Sequence, residues 1–207
     1  SKVHFIRFNL RISASGRFFV FMNIKIKNYI FIALLLSSLI FLPFFPARGD
    51  IDQSVSYLKT KTPNPWVTMA LFAAGENPDA NYLKSFAGAT ASDYEAAILA
   101  LAAVGKDPRT FPNENFVQKL ESFYSNGQIG DPTLLNDDIF GLLALLAAGE
   151  PVSDETVSGA KNFISGHQNS DGGWSFALSS GSDTNMTAMA VMALLEAGFS
   201  KTDANIS

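Results

Sequence analysis

The sequence predicts an all-α fold, a row of about four helical hairpins, and three observations carry that prediction. Four Ala/Leu-rich runs repeat one pattern and each ends in glycine: WVTMALFAAG (66–75), YEAAILALAAVG (94–105), IFGLLALLAAG (139–149) and TAMAVMALLEAG (187–198). The segments between them show one apolar stripe and one polar face, as Phe116, Val117, Leu120 and Phe123 do against Gln118, Lys119 and Glu121. Strict alternation of apolar and polar residues, the mark of a half-buried strand, is missing.

Each repeated run is predicted to be an inner helix. Ala, Leu and Met lead the helix-propensity ranking. Gly75, Gly105, Gly149 and Gly198 stand where a helix places its left-handed C′ residue, which glycine adopts without a Cβ penalty. Pro78, Pro108 and Pro151 follow within three residues and block continuation. Residues 96–104 include no polar side chain, so that helix has to be buried on most sides. The alanines let neighbouring helices approach closely. Segments 54–61, 79–86, 113–125 and 153–168 are predicted to be amphipathic outer helices that cover the inner ones. Self-similarity with variable spacers marks a repeat architecture, and a ring or solenoid buries every inner helix.

Charge divides the chain. The first 49 residues hold seven Lys or Arg and no acid, whereas all 19 acids lie from Asp50 onward beside only eight bases, a net charge of −11. That excess disfavours nucleic acid, which needs Lys and Arg against phosphate. It suits a soluble domain outside the cytosol. With 47% apolar residues the chain can form a packed core. It has no cysteine, which excludes disulfides, thiolate zinc sites and cysteine nucleophiles.

Three regions follow: 1–21, 22–49 and 50–207. MNIKIKN (22–28) is basic, and 29–45 is apolar except for Ser37 and Ser38. Ala47 and Gly49 suit a signal-peptidase cut before Asp50. The alternative is a retained anchor, although 17 residues is near the lower limit for a span and Pro43 weakens the helix. Either way the expected location is secreted or surface-anchored, with membrane contact through this segment only. Residues 1–21 precede Met22 and read as an over-extended gene start, not a domain.

The stretch QNSDGGWSF (168–176) carries a glutamine-tryptophan motif through Gln168, Gly172 and Trp174. With the four repeats, it resembles the squalene-cyclase and prenyltransferase repeat superfamily, as an exported bacterial member, from residue 52 to the end. The resemblance implies an α/α toroid, here an incomplete (α/α)6-type barrel of about four hairpins and a truncated one, since six hairpins close the ring. It implies that the motif tryptophan packs between hairpins as a brace. Class II cyclases of the superfamily carry D-x-D-D-T-A, and this chain matches at Asp183, Thr187 and Ala188. The general acid is replaced by Asn185 and its neighbour by Met186. An amide has no proton to donate, so that chemistry is lost. The superfamily's zinc ligands include a cysteine, and the sole histidine after residue 50 is His167 on a predicted outer helix, so no metal is expected.

Candidate site residues follow. Asp93, Asp137, Asp138 and Asp183 precede inner helices and form either a carboxylate cluster at one mouth of the ring or a set of helix caps, with residues 92–95 as a capping box. Trp66, Tyr94, Phe140 and Met186 lie at inner-helix starts and either line an aromatic cavity or fill the core. Trp174 and Phe176 could stack on a flat ligand. GQIGD (127–131) lacks the phosphate-loop lysine and reads as a turn, and NSDGG (169–173) lacks the calcium-loop register. No catalytic residue and no cofactor is expected. The expected function is a non-catalytic module that binds a hydrophobic or amphipathic small molecule or a partner protein. The alternatives are a terpene-cyclase-like enzyme whose acid is Asp137 or Asp138, and a structural repeat segment of a larger surface protein.

Overall fold

A computed structural model describes residues 9–12, 18–21, 50–111 and 114–200, and the chain divides into two compact units, Ser1–Arg48 and Gly49–Ser207. In the first unit β1 (Asn9–Ile12) pairs antiparallel with β2 (Phe18–Phe21), Asn9 opposite Phe21 and Ile12 opposite Phe18. The sequence reading expects no element there. Phe18, Phe19, Val20 and Phe21 are all residue types that favour strands. The expected export segment, 22–49, lies outside the described residues. Among the described residues no helix is long and apolar enough to cross a membrane.

The second unit is mostly helical. Its helices are α1 (Ile51–Lys59), α2 (Pro65–Ala73), α3 (Ala91–Ala103), α4 (Phe116–Glu121), α5 (Leu135–Ala147), α6 (Glu155–Gly166) and α7 (Thr184–Glu196). A short 3-10 helix covers Asn81–Ser85. The four repeated runs form α2, α3, α5 and α7, and these pack in sequence, α2 on α3, α3 on α5 and α5 on α7. α1 packs on α2, α4 on α3, and α6 on both α5 and α7.

Each inner helix ends in the way its glycine requires. Gly75, Gly105, Gly149 and Gly198 have φ of 84°, 69°, 84° and 93°. The glycine N–H bonds one carbonyl and the next residue's N–H bonds the carbonyl before it: Gly105 N to Ala102 O at 3.0 Å, Lys106 N to Leu101 O at 2.9 Å. The same pair recurs at Gly75, Gly149 and Gly198, a Schellman motif four times over. At the starts, Asp50, Asn64, Asn115, Asp154 and Asp183 each accept from a backbone N–H of the first turn. Thr90 does so for α3 in a reciprocal capping box with Asp93. The box predicted at residues 92–95 is therefore displaced by two residues. Ser92 lies inside the helix, and Glu95 points into the protein interior.

Burial separates the inner helices into two kinds. α3 and α5 are enclosed: Ala97, Ile98, Ala100 and Leu101, and Ile139, Leu142, Ala144 and Leu145, are fully buried. α2 buries only Thr68 and Leu71, and α7 only Ala190, Ala193 and Leu194. All-apolar composition thus predicts burial on most sides correctly for the two middle helices and not for the outer two of the row, each of which has one inner neighbour rather than two. The covering segments are shorter than predicted. Residues 79–86 form only the 3-10 helix, and the helix expected over 113–125 is the six residues of α4. It stops because Tyr124–Ser125 (β3) turns back on Gln128–Ile129 (β4), with Asn126 and Gly127 both at positive φ. Asn-Gly is the preferred pair for such a two-residue hairpin turn.

A Cβ on Gly105 would meet nothing within 4 Å. Gly105→Ala therefore tests the backbone conformation alone. Urea unfolding is expected to show a loss of about 1 kcal/mol, and an unchanged midpoint would contradict the Schellman assignment.

Candidate functional site

Three places in the helical unit gather polar or aromatic groups: an open face on the inner helices, a staple around Trp174, and a carboxylate junction between α3 and α5.

The open face follows from helical spacing. On α2 the exposed residues Trp66, Ala70 and Ala73 fall at i, i+4 and i+7. On α5 Phe140 and Leu143 are half-buried and Ala147 exposed, at i, i+3 and i+7, and on α3 Ala96, Leu99 and Ala103 are half-buried at that spacing. α7 leaves Asn185, Ala188 and Met192 exposed. Each inner helix therefore keeps one row of mostly apolar side chains half-buried or exposed. Trp66, 57% exposed, meets Phe140 edge to face with ring centroids 5.9 Å apart. These rings belong to helices separated by α3. In a flat layer, packed helices about 8–10 Å apart would put α2 and α5 roughly 16–20 Å apart. The ring contact therefore joins two helices that are not neighbours in the row.

Not every predicted cavity residue lies there. Tyr94 is buried among Phe86, Phe116 and Phe123, with ring centroids 5.5 to 6.0 Å away, and its hydroxyl donates to Gly88 O. It fills the core between α3 and α4. Met186 is half-buried, while Asn185 is exposed at the start of α7.

The staple is built by the glutamine-tryptophan segment. Trp174 is 1% exposed, and its Nε1–H donates to Ile164 O of α6 at 2.8 Å. Its backbone N–H donates to Thr187 Oγ1 of α7, and its carbonyl accepts from Asp183 N. Two residues on, Phe176 O accepts from Asn136 N of α5 at 3.1 Å, and Leu178 N donates to Thr133 O. This strand-like stretch thus caps α5, which among the described residues is the α-helix without a side-chain N-cap. Gln168 Nε2 donates to Gly172 O, and Asp171 accepts from Gly173 N and Ser182 Oγ, which fixes the turn leading into Trp174. Phe176 itself is exposed, and His167 is an exposed C-cap that stacks on Phe163.

The four aspartates divide by role. Asp93 accepts from Ala89 N and Thr90 N, and Asp183 from Asn185 N and Met186 N; both are caps. Asp137 and Asp138, expected as caps or as a rim, instead lie buried inside the first turn of α5. Asp137 accepts from Ser92 Oγ at 2.9 Å, Asp131 N at 3.0 Å and Asn136 Nδ2 at 3.3 Å. A Cβ on Gly130 would run into Asp137, so the loop's approach to that carboxylate requires glycine. Asp138 is 0% exposed, and one oxygen accepts from Ile129 N at 2.8 Å while Oδ2 has no partner. Burial pushes its carboxyl up to about 7. Glu95 of α3, absent from the predicted site, is 2% exposed with Oε1 unpartnered. Burial, then Asp137, Asp138 and Asp93, push its carboxyl up to about 9.

Beside this junction a pocket of about 290 Å³ is lined by Thr90, Ser92, Phe123, Asp131, Leu134 and Asp137, among others. Neither Glu95 nor Asp138 lines it. Elsewhere, carboxylate oxygens of Glu121, Glu150 and Asp154 lie within 4.8 Å of one another. Arg109 already neutralises part of that group, Nη2 to Glu150 Oε1 at 2.7 Å, while its Nη1 donates to Ala148 O at the end of α5. Comparison with protein-family models, curated proteins and solved structures finds no match.

Trp174→Phe removes the indole N–H bond to Ile164 O, which keeps only the His167 N–H, and leaves part of the buried ring volume empty. Thermal and urea unfolding should show a loss of about 1–3 kcal/mol. A neutral effect would mean that the indole N–H does not tie α6 to the segment that caps α5.

Proposed function

We propose that this protein is a non-catalytic binding module of α/α-toroid type, acting outside the cytosol, whose inner-helix face receives an apolar or amphipathic small molecule. The observation that carries the reading is the Trp66–Phe140 contact, two rings from non-adjacent helices meeting on a face lined by alanine, leucine and methionine. Such a face offers what apolar ligands use: large rigid aromatic groups over small side chains, with few polar groups to desolvate. Asn136 and Asn185, at the starts of α5 and α7, supply hydrogen-bonding groups suited to a ligand's polar head. The glutamine-tryptophan staple and the glycine-capped hairpins support the toroid reading.

The enzymatic alternative needs a proton donor that reaches a ligand. Asn185 has no acidic proton. The two carboxyls held at raised values, Glu95 and Asp138, are buried in the α3–α5 interface and do not line the 290 Å³ pocket beside it. Binding without chemistry therefore accounts for more of what is present.

Trp66 is exposed and Trp174 buried, so a ligand on the open face should perturb the emission of the first. Titration with farnesol and with dodecanol is expected to give a saturable fluorescence change that Trp66→Phe removes. Trp66→Ala should weaken binding about tenfold, the effect of truncating one aromatic anchor. No Trp66-dependent signal up to the solubility limits would contradict the proposal. A cyclised product from squalene or geranylgeranyl diphosphate, lost in Asp138→Asn, would replace it with the enzymatic one.

A further inference from the structure

We propose that the α3–α5 interface is a proton-held junction, closed while Glu95 and Asp138 are protonated and loosened when alkaline pH ionises them. Apolar packing and the Ser92–Asp137 bond also join the two helices, but the two buried carboxyls are incompletely satisfied. Glu95 and Asp138 are 98–100% buried, by exposures of 2% and 0%, and each has one oxygen without a hydrogen-bond partner. The buried Gln128 side-chain nitrogen of β4 lies close enough to Asp138 to oppose the upward push of burial, yet makes no well-formed hydrogen bond.

The charges around these groups have one sign. From α5, Glu95 faces Asp137 and Asp138, and from its own helix Asp93. α2 packs on α3 and carries no charged residue. α4 also packs on α3 and carries Lys119 and Glu121; Lys119 pairs with Glu114, and Glu121 interacts with Glu150, Asp154 and Arg109. Asp138 faces Asp137, Gln128 and the phenol of Tyr124. α6 places Glu155 and the cap Asp154 near that same phenol, and α7 contributes no base. α6 also carries Lys161, but among the described residues no Lys, Arg or His acts on either carboxyl. A proton on each carboxyl removes the like-charge repulsion and supplies a donor; the ionised forms would sit desolvated beside a buried, hydrogen-bonded Asp137.

The sign of the pH effect is fixed by the direction of these shifts. Glu95 is held up to about 9 from 4.5 and Asp138 up to about 7 from 3.8, so the folded state binds protons that the unfolded chain has already released. Stability is then greatest on the acid side of that interval, falls as pH rises through it, and levels off above the folded values. The lowered carboxyls, among them Asp93, Asp131 and Asp171, act the opposite way but finish titrating below it. Between pH 7 and 9 Glu95 dominates. Because Asp137 belongs both to this junction and to the wall of the 290 Å³ pocket, loosening the junction also opens that wall.

The test is urea unfolding of the chain at pH 7 and 9, for the unaltered protein and for Glu95→Gln. The unaltered protein should lose at least tenfold in its folding constant across that range, and Glu95→Gln much less. If the variant fails to fold, the side-chain carbon shift of Glu95, followed by NMR, still decides; its midpoint should lie above pH 7. A midpoint in the ordinary carboxylate range, or stability flat from pH 7 to 9, would overturn the proposal. So would a calcium- or magnesium-dependent rise in Tm at pH 9 that Glu95→Gln lacks, since a metal ion would then hold the carboxylates.

Discussion

The structure depends on one constraint: α3 and α5 have almost no polar side to turn toward water. A helix with so little polar surface is stable when neighbours cover most of it. α5 meets this by packing on α3, α6 and α7, and α3 by packing on α2, α4 and α5. The small residues of the repeats permit that crowding. Everything polar near the two helices has to be arranged around it, by the glycine-based C-caps at one end and by the hairpin, the Trp174 stretch and the carboxylates at the other.

The two ends differ in how they are satisfied. At the C-terminal ends the solution is local, the same pair of backbone bonds at each glycine, supplemented at α5 by Arg109. At the N-terminal ends α3 has its local Thr90–Asp93 box, whereas the solution for α5 is tertiary. Phe176 O, from a segment some forty residues away in sequence, takes the place of a cap on α5, and Asp137 serves Ser92 of α3 and the Asp131 backbone instead of its own helix. That end also holds the polar head groups of the open face, so any ligand on that face would sit against the part of the molecule most dependent on long-range contacts.

How much of this is legible in the sequence follows the same division. The inner helices and their stops are legible because glycine in the left-handed region and the proline that follows act within a few residues. The helix starts are less so. Thr90-x-x-Asp93 and Ser92-x-x-Glu95 both satisfy a capping pattern, and what selects the first is the rotation of α3 against α5, which carries Glu95 inward. Asp137 and Asp138 look like caps for the same reason, and their burial depends on the β3–β4 hairpin closing over them. That hairpin has a visible signal, Asn126-Gly127, masked by the amphipathic stripe that runs into it. Tyr94 shows the limit of placing residues by position along a helix: it stands at an inner-helix start, yet it faces α4, because its direction is set by helical phase. The open face is legible only in retrospect, since exposed and enclosed alanines read alike.

Amide hydrogen exchange tests the enclosing of α3 and α5 most directly. Amides of Ile98, Leu101, Leu142 and Leu145 should exchange only through global unfolding, with protection that tracks total stability, whereas those of Val55 and Tyr57 in α1 should exchange far sooner through local opening. If the α3 and α5 amides exchange as fast as those of α1, the two helices are not enclosed and the account fails.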